Sequence, residues 1–182
     1  MFKHILVPTD GSELSKATAQ RAISFAKEAG ARVTVFFAKP EYPIAYFGEG
    51  ALIDPTTPEK FAELADQQAT EYLGEIKKQC DAAGVECTTI AATSDVPYEA
   101  IIDAAEESGC DLIFMASHGR RGKLGMALAS ETLSVLMNAG LPVLVSSTGE
   151  PKTPAHAIGV IRDEHRSLAA VLHAWMHALA AA

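Results

Sequence analysis

Apolar residues along the chain keep two different spacings, and the spacings alternate. Ile5-Leu6-Val7 and Val33-Thr34-Val35-Phe36-Phe37 are short, β-branched and aromatic runs, the pattern of strands buried on both faces. The first run stops at Pro8, and Thr9-Asp10-Gly11-Ser12 reads as a turn. Ser12 is a good N-cap for a helix over 13–28, with Leu14, Ala17, Ala22, Phe25 and Ala26 supplying the buried side and Gly30 ending it. The stretch 39–58 interrupts the alternation. It holds Pro40, Pro43, Pro55 and Pro58 among Tyr42, Tyr46 and Phe47, and reads as a loosely ordered insertion, with a lid or partner contact as the functional alternative.

Helical spacing resumes at 60–83, opened by Pro58, where Phe61, Leu64, Ala65, Ala69, Tyr72, Leu73 and Ile76 recur on one side and Gly84 closes the helix. A third strand over 85–91 alternates, so it should be less buried than the first two. A third helix over 99–108 turns Ala100, Ile101 and Ala104 inward, and a fourth strand covers 111–116. A helix over 130–138 carries Leu133, Leu136 and Met137, and a fifth strand covers 141–146. Pro142 suits an edge position there. An edge holding Val143, Leu144 and Val145 must be covered or paired, which points to a homodimer through 142–146.

Strand, helix and strand with short joins make right-handed parallel units. The loops that follow the strands then gather at one edge of the sheet, where open parallel sheets bind ligands. Asp10 lies just beyond the first strand. After the fourth strand, Met115-Ala116-Ser117-His118-Gly119-Arg120-Arg121-Gly122 leads through Ala129 to a helix opening at Ser130. A strand, a loop of small and cationic residues and a helix N-terminus aim backbone N–H groups at one place, as phosphate sites do.

Composition narrows the partners. The chain has 182 residues, 48% hydrophobic and 21% charged, with a net charge of −8. That charge argues against general binding to nucleic acid or an acidic membrane, but Arg120 and Arg121 leave room for one small anion. The N-terminal apolar run is too short for a secretory signal, and no apolar stretch is long enough to span a bilayer. Cys80, Cys87 and Cys110 have no zinc spacing and read as free thiols, fitting a cytoplasmic protein.

Ile5-Leu6-Val7-Pro8-Thr9-Asp10-Gly11-Ser12, the run 111–119 and Pro142-Val143-Leu144-Val145 together resemble the universal stress protein family over residues 1–147. The resemblance implies an α/β fold: a doubly wound five-stranded parallel sheet of order 3-2-1-4-5, adenine nucleotide alpha hydrolase-like. It also implies a stress-response regulator, commonly dimeric through the last strand. Members that bind ATP carry Gly, two residues, Gly, nine residues, then Gly-Ser. The matching positions here are Ala116, Gly119, Ala129 and Ser130, so the spacing is intact and two glycines are alanine. Alanine strains a position that needs positive φ and fills space where a phosphate packs on Cα; elsewhere it is harmless.

The resemblance thus implies ATP or a related adenine nucleotide, with Mg2+, at Pro8, Thr9, Asp10, Ala38, Ala116, Ser117, His118, Gly119, Arg120, Arg121, Gly122, Ala129, Ser130, Glu131 and Thr132. Asp10 matches the acidic residue near the ribose or metal, and Ala38 a position whose backbone faces the adenine. His118 reads as a structural hydrogen-bonding residue rather than a base. No catalytic group accompanies it, so no dedicated enzyme is expected, and at most slow ATP hydrolysis.

Residues 148–154 form a linker, and 155–182 are rich in alanine and leucine, hence helical by propensity. The run from Ile158 resembles the first helix of the hemerythrin-like cation-binding family. His165, His173 and His177 fall on one side of such a helix. One helix cannot supply a whole bundle site. The apolar stripe Leu168, Val171, Leu172, Trp175 and Leu179 therefore reads as a docking surface for its own domain or a second copy. Two other functions compete with nucleotide binding: a dimeric scaffold acting through protein contacts, and a fragment of a larger stress protein with a hemerythrin-like iron module.

Overall fold

β1 (His4–Pro8) is buried at every position, as an uninterrupted apolar run demands when helices cover both faces of a sheet. The computed structural model describes residues 2–42, 57–117, 130–146 and 160–161. β1 is followed by α1 (Glu13–Ala29), β2 (Arg32–Lys39), α2 (Pro58–Ala83), β3 (Cys87–Thr93), α3 (Pro97–Glu107), β4 (Leu112–Ala116), α4 (Ser130–Asn138) and β5 (Val143–Ser146). A two-residue strand, β6 (Val160–Ile161), comes last. The strands lie side by side in the order β3-β2-β1-β4-β5-β6, and every pair is parallel. The first five have the expected order 3-2-1-4-5.

The pleat sorts each strand's side chains onto two faces. Ile5, Val7, Val33, Val35, Phe37, Leu112 and Phe114 face one core with α1 and α2. Leu6, Phe36, Ile113, Met115 and Val145 face the other with α3 and α4. Helices therefore cover both sides, and the winding reverses between β1 and β4. β3 lies outermost at one end, and its positions are half-buried or exposed, as its alternation predicts.

Helix ends follow local chemistry. Ser12 Oγ accepts from Ser15 N at 3.1 Å, capping α1, and Gly30 at φ 62° closes it. Thr57 Oγ1 accepts from Lys60 N at 3.2 Å ahead of Pro58 in the first turn of α2. Some buried sides differ from expectation. Leu14 and Ala17 are only half-buried, while Ile23, Ala19 and Thr18 are buried. In α4 the core position is Val135, and Leu133 and Met137 are exposed at 51% and 76%. A nine-residue helix lying on β5 presents only a narrow stripe inward.

The helix expected over 155–182 fails at Val160–Ile161, which form β6. Both residues are β-branched and follow Gly159, so local preference favours a strand. The outer edge of β5 offers the ladder: Val145 pairs with Val160 and Ser146 with Ile161. The edge assigned to a second copy is thus met, over these two residues, by the same chain. The remainder of 148–182, with His165, His173 and His177, lies outside the described residues, as does 43–56.

At the amino end of the sheet, Asp111 fastens β1. Its carboxylate accepts from Lys3 N at 2.8 Å and His4 N at 3.0 Å. The His4 ring is buried beneath, Nε2 at 2.7 Å from Thr34 Oγ1. Burial first, then the Arg32 guanidinium, lowers the His4 pKa from its ordinary value. The unfolded chain then binds a proton that the folded protein resists. Stability should be fully present above about pH 6.5 and decline as pH falls below it. Urea unfolding at pH 7.5 and 5.5 checks this: the loss should shrink in His4→Gln, and an equal loss in both proteins would refute it.

Candidate functional site

The carboxyl ends of β1 and β4 lie next to each other where the winding reverses. Helices leave this point toward opposite faces, and in open parallel sheets the crevice at such a reversal is where ligands bind. Both strand ends are extended by one further ladder bond. Thr9 N donates to Phe36 O at 2.8 Å, and Ser117 N donates to Ser146 O at 2.8 Å.

From Thr9 the chain turns sharply into α1. Thr9 Oγ1 lies 3.0 Å from the buried Ser15 Oγ and accepts from Gly11 N at 3.2 Å. Asp10 Oδ1 accepts from Ser12 N at 3.0 Å, an Asx turn that holds its carboxylate at the positive end of the α1 dipole. Gly11 has φ 75°, in the left-handed region. A Cβ there would stand 2.5 Å from the Tyr72 ring, which α2 lays across the turn. The Asp10 turn is therefore shaped by a residue 62 positions away, and Tyr72 meets Phe37 of β2 edge to face at 5.5 Å.

On the other side of the crevice, Thr132 Oγ1 donates to Ala116 O at 3.0 Å, and Thr132 is 2% exposed. This bond holds the first turn of α4 against the end of β4. The start of α4 at Ser130 is thus anchored at the edge, with its first N–H groups unclaimed by the helix itself. Glu131 belongs to the same turn, and its Oε2 is buried without a hydrogen-bond partner among the described residues. Ser146 continues the edge, its Oγ accepting from Arg21 Nη1 of α1 at 2.7 Å.

Of the residues expected at the site, Pro8, Thr9, Asp10, Ala116, Ser117 and Thr132 come together at this edge. Ala38 lies at the end of β2, paired with Ala92 of β3, at the same edge but farther along. His118, Gly119, Arg120, Arg121, Gly122 and Ala129 lie outside the described residues, as does the Ser130 side chain. Ser15, Arg21, Tyr72 and Ser146 support the edge and were missed. Gly11 beside Asp10 could have signalled a close neighbour; nothing local marks Arg21 or Tyr72.

The alanine at 116 can be judged directly. It is a strand residue, so its backbone is extended and needs no left-handed φ. Its register partner is Ser146, whose hydroxyl meets α1, so the pleat turns the Ala116 methyl toward α1 as well. Ala116 as a whole is 9% exposed. Of the two ways in which alanine could disturb position 116, backbone strain does not arise.

Sheet order, helices on both faces and the reversal of winding between β1 and β4 define an adenine nucleotide alpha hydrolase-like fold. The sequence pattern of the universal stress protein family matches residues 1–147. Universal stress protein MJ0531 of Methanocaldococcus jannaschii is 34% identical over 146 residues, 80% of this chain and 82% of that one. The solved structure of MJ0577 from the same organism superposes with a TM-score of 0.67 at 27% identity, covering 83% of this chain and 99% of that one. A universal stress protein solved in complex with cAMP gives 0.58 at 23% identity, over 79% of this chain and 96% of that one. At that identity the likeness is one of fold. The chain belongs to the universal stress protein family.

Proposed function

We propose that this protein is a stress-response regulator that binds an adenine nucleotide, ATP with Mg2+ or a related species, in the β1–β4 crevice. The observation that carries the reading is the anchoring of the α4 N-terminus against the end of β4, the strand next to the one that leads into the fixed Asp10 turn. Anions are favoured at such a terminus by its free N–H groups and dipole. Asp10 is held ready to accept from a ribose hydroxyl or to meet a cation. One universal stress protein of this fold, solved in complex with cAMP, supports the reading. The described residues fit the group, since Ala116 is unstrained and its methyl turns toward α1. The role is regulatory: binding, not turnover, is what the named residues supply.

Thermal denaturation tests the reading. Millimolar ATP with magnesium, AMP and cAMP are each added to the full chain. Ligand at about 100 times its Kd stabilises by about 2.7 kcal/mol, a rise of several degrees in Tm. Asp10→Ala should weaken binding at least about tenfold, the loss of one charge-assisted contact. Ala116→Gly should leave affinity unchanged. No shift with any nucleotide would overturn the reading, and binding gained only when glycine replaces both Ala116 and Ala129 would show that the methyl groups close the site.

A scaffold acting through protein contacts is the second reading. Leu133 and Met137, exposed on α4 beside β5, favour it. A homodimer through 142–146 belongs to either reading, and it must accommodate β6 on the outer edge of β5.

A further inference from the structure

At the amino end of the sheet, remote from the proposed nucleotide edge, two thiols share one core. Cys80 lies in the last turn of α2 and Cys87 opens β3. The turn between them is tight: Gly84 takes φ 73°, and Val85 N donates back to Cys80 O at 2.9 Å. Glu86 O accepts from Val33 N at 2.8 Å, and Cys87 pairs in register with Val33, so the start of β3 is fixed against β2. Val33 belongs to the core that Cys80 helps to fill, so its register partner Cys87 turns toward the same core and packs against it, and both thiols are free.

The two are unequal. Cys80 is fully buried, whereas Cys87 is half-buried, with its Sγ 3.6 Å from Thr88 O. A solvent-borne oxidant therefore reaches Cys87 first, with Cys80 waiting behind it. We propose that Cys80 and Cys87 form a reversible thiol–disulfide site that a hydroperoxide oxidises. The Cys87 thiolate attacks the peroxide, taking one oxygen as the O–O bond breaks; the other oxygen leaves as hydroxide and is protonated. The product is a sulfenic acid on Cys87. Cys80 sulfur then attacks Cys87 sulfur, its proton going to the departing hydroxyl group as water. The S–S bond forms and the S–O bond breaks. With hydrogen peroxide, two thiols and one peroxide give one disulfide and two waters. A small dithiol reverses the change by exchange.

The electrostatics agree with this division of labour. The neighbouring Cys80 thiol, and then the Lys77 ammonium, hold the Cys87 thiol below its ordinary pKa. The Cys87 thiol, and then burial, raise Cys80. Cys110 stands apart, buried against the other face of the sheet, its pKa pushed up to about 11 by burial and then by Asp111. It serves as an internal control.

The test is intact-mass and peptide analysis of the folded full chain after hydrogen peroxide, with thiols alkylated before unfolding. Wild type and Cys110→Ser should each lose the mass of two hydrogens, carry a cross-link between Cys80 and Cys87, and recover it all with dithiothreitol. Cys80→Ser should instead hold one added oxygen on Cys87, trapped by dimedone. Cys87→Ser should show neither change. No mass loss in wild type, a cross-link to Cys110, or loss that persists in Cys87→Ser would overturn the proposal. The wild-type measurement stands whether or not the variants fold.

Discussion

Phe114→Ala should destabilise the protein by about 3–5 kcal/mol, the range for emptying a buried aromatic site. Phe114 is 1% exposed in the middle of β4, beneath α1. Its ring lies 6.3 Å from Phe25, which lies 6.4 Å from Phe2. The chain of three rings ties the N-terminal residues, α1 and the central strand into one packing unit. Truncation leaves a cavity between a strand and a helix that are both fixed by other contacts, so little collapse can follow. At about 2–4 °C per kcal/mol for a chain of this size, Tm should fall by roughly 6–20 °C. Urea unfolding would give the free energy directly. Met137→Ala, removing a side chain left exposed on α4, should stay within about 0.5 kcal/mol of wild type. A Phe114→Ala loss under about 1 kcal/mol would contradict the packing described. The site would feel the same change, because Ala116 and Ser117 end the strand that Phe114 anchors.

Gly11→Ala should lose about 2–5 kcal/mol, from two separable causes. Left-handed backbone costs a non-glycine residue about 1–2 kcal/mol. The added methyl also meets the Tyr72 ring 2.5 Å away, and overpacking of this kind costs about 1–3 kcal/mol. A double-mutant cycle separates them. In a Tyr72→Ala background the steric part vanishes, so Gly11→Ala should then cost at least about 1 kcal/mol less. Equal costs in both backgrounds would show that Tyr72 does not press on the turn. Because Gly11 follows Asp10, the variant should also bind nucleotide more weakly than its stability loss explains, read from the Tm rise with ATP and magnesium.

Much of the architecture was legible because the two periods are clean. Uninterrupted apolar runs such as Ile5-Leu6-Val7 belong to strands covered on both faces, and helical spacing from Phe61 to Ile76 belongs to α2. Caps at Ser12 and Gly30 follow from chemistry within a few residues. Errors cluster where local pattern and tertiary demand part. Thr18 and Ser15 are buried because α1 packs closely on the sheet, a fact about distance between layers that hydrophobicity does not carry. Leu133 and Met137 are apolar yet exposed, since a short helix buries only the side that touches β4 and β5. Val160–Ile161 read as helix from the alanine-rich sequence around them, but the open edge of β5 pairs them as a strand. The site divides in the same way. Asp10, Ser117 and Thr132 were legible as a turn, a loop start and a helix start. Tyr72 over Gly11 and Arg21 on Ser146 were not, because each contact joins elements that meet only in the fold.

By itself the sequence determined the alternation of strands and helices, the edge on which loops collect, and membership of a family whose spacing survives around Ala116, Gly119, Ala129 and Ser130. Those follow from short-range preferences and from the handedness of parallel connections, which act within a few dozen residues. Tertiary structure alone decided that the Ala116 methyl turns toward α1, and that Gly11 is held beneath Tyr72. It alone set Cys80 and Cys87 on one core and gave the β5 edge to β6. These depend on which surfaces meet once the layers pack, and packing is set by shape and distance among residues far apart in the chain.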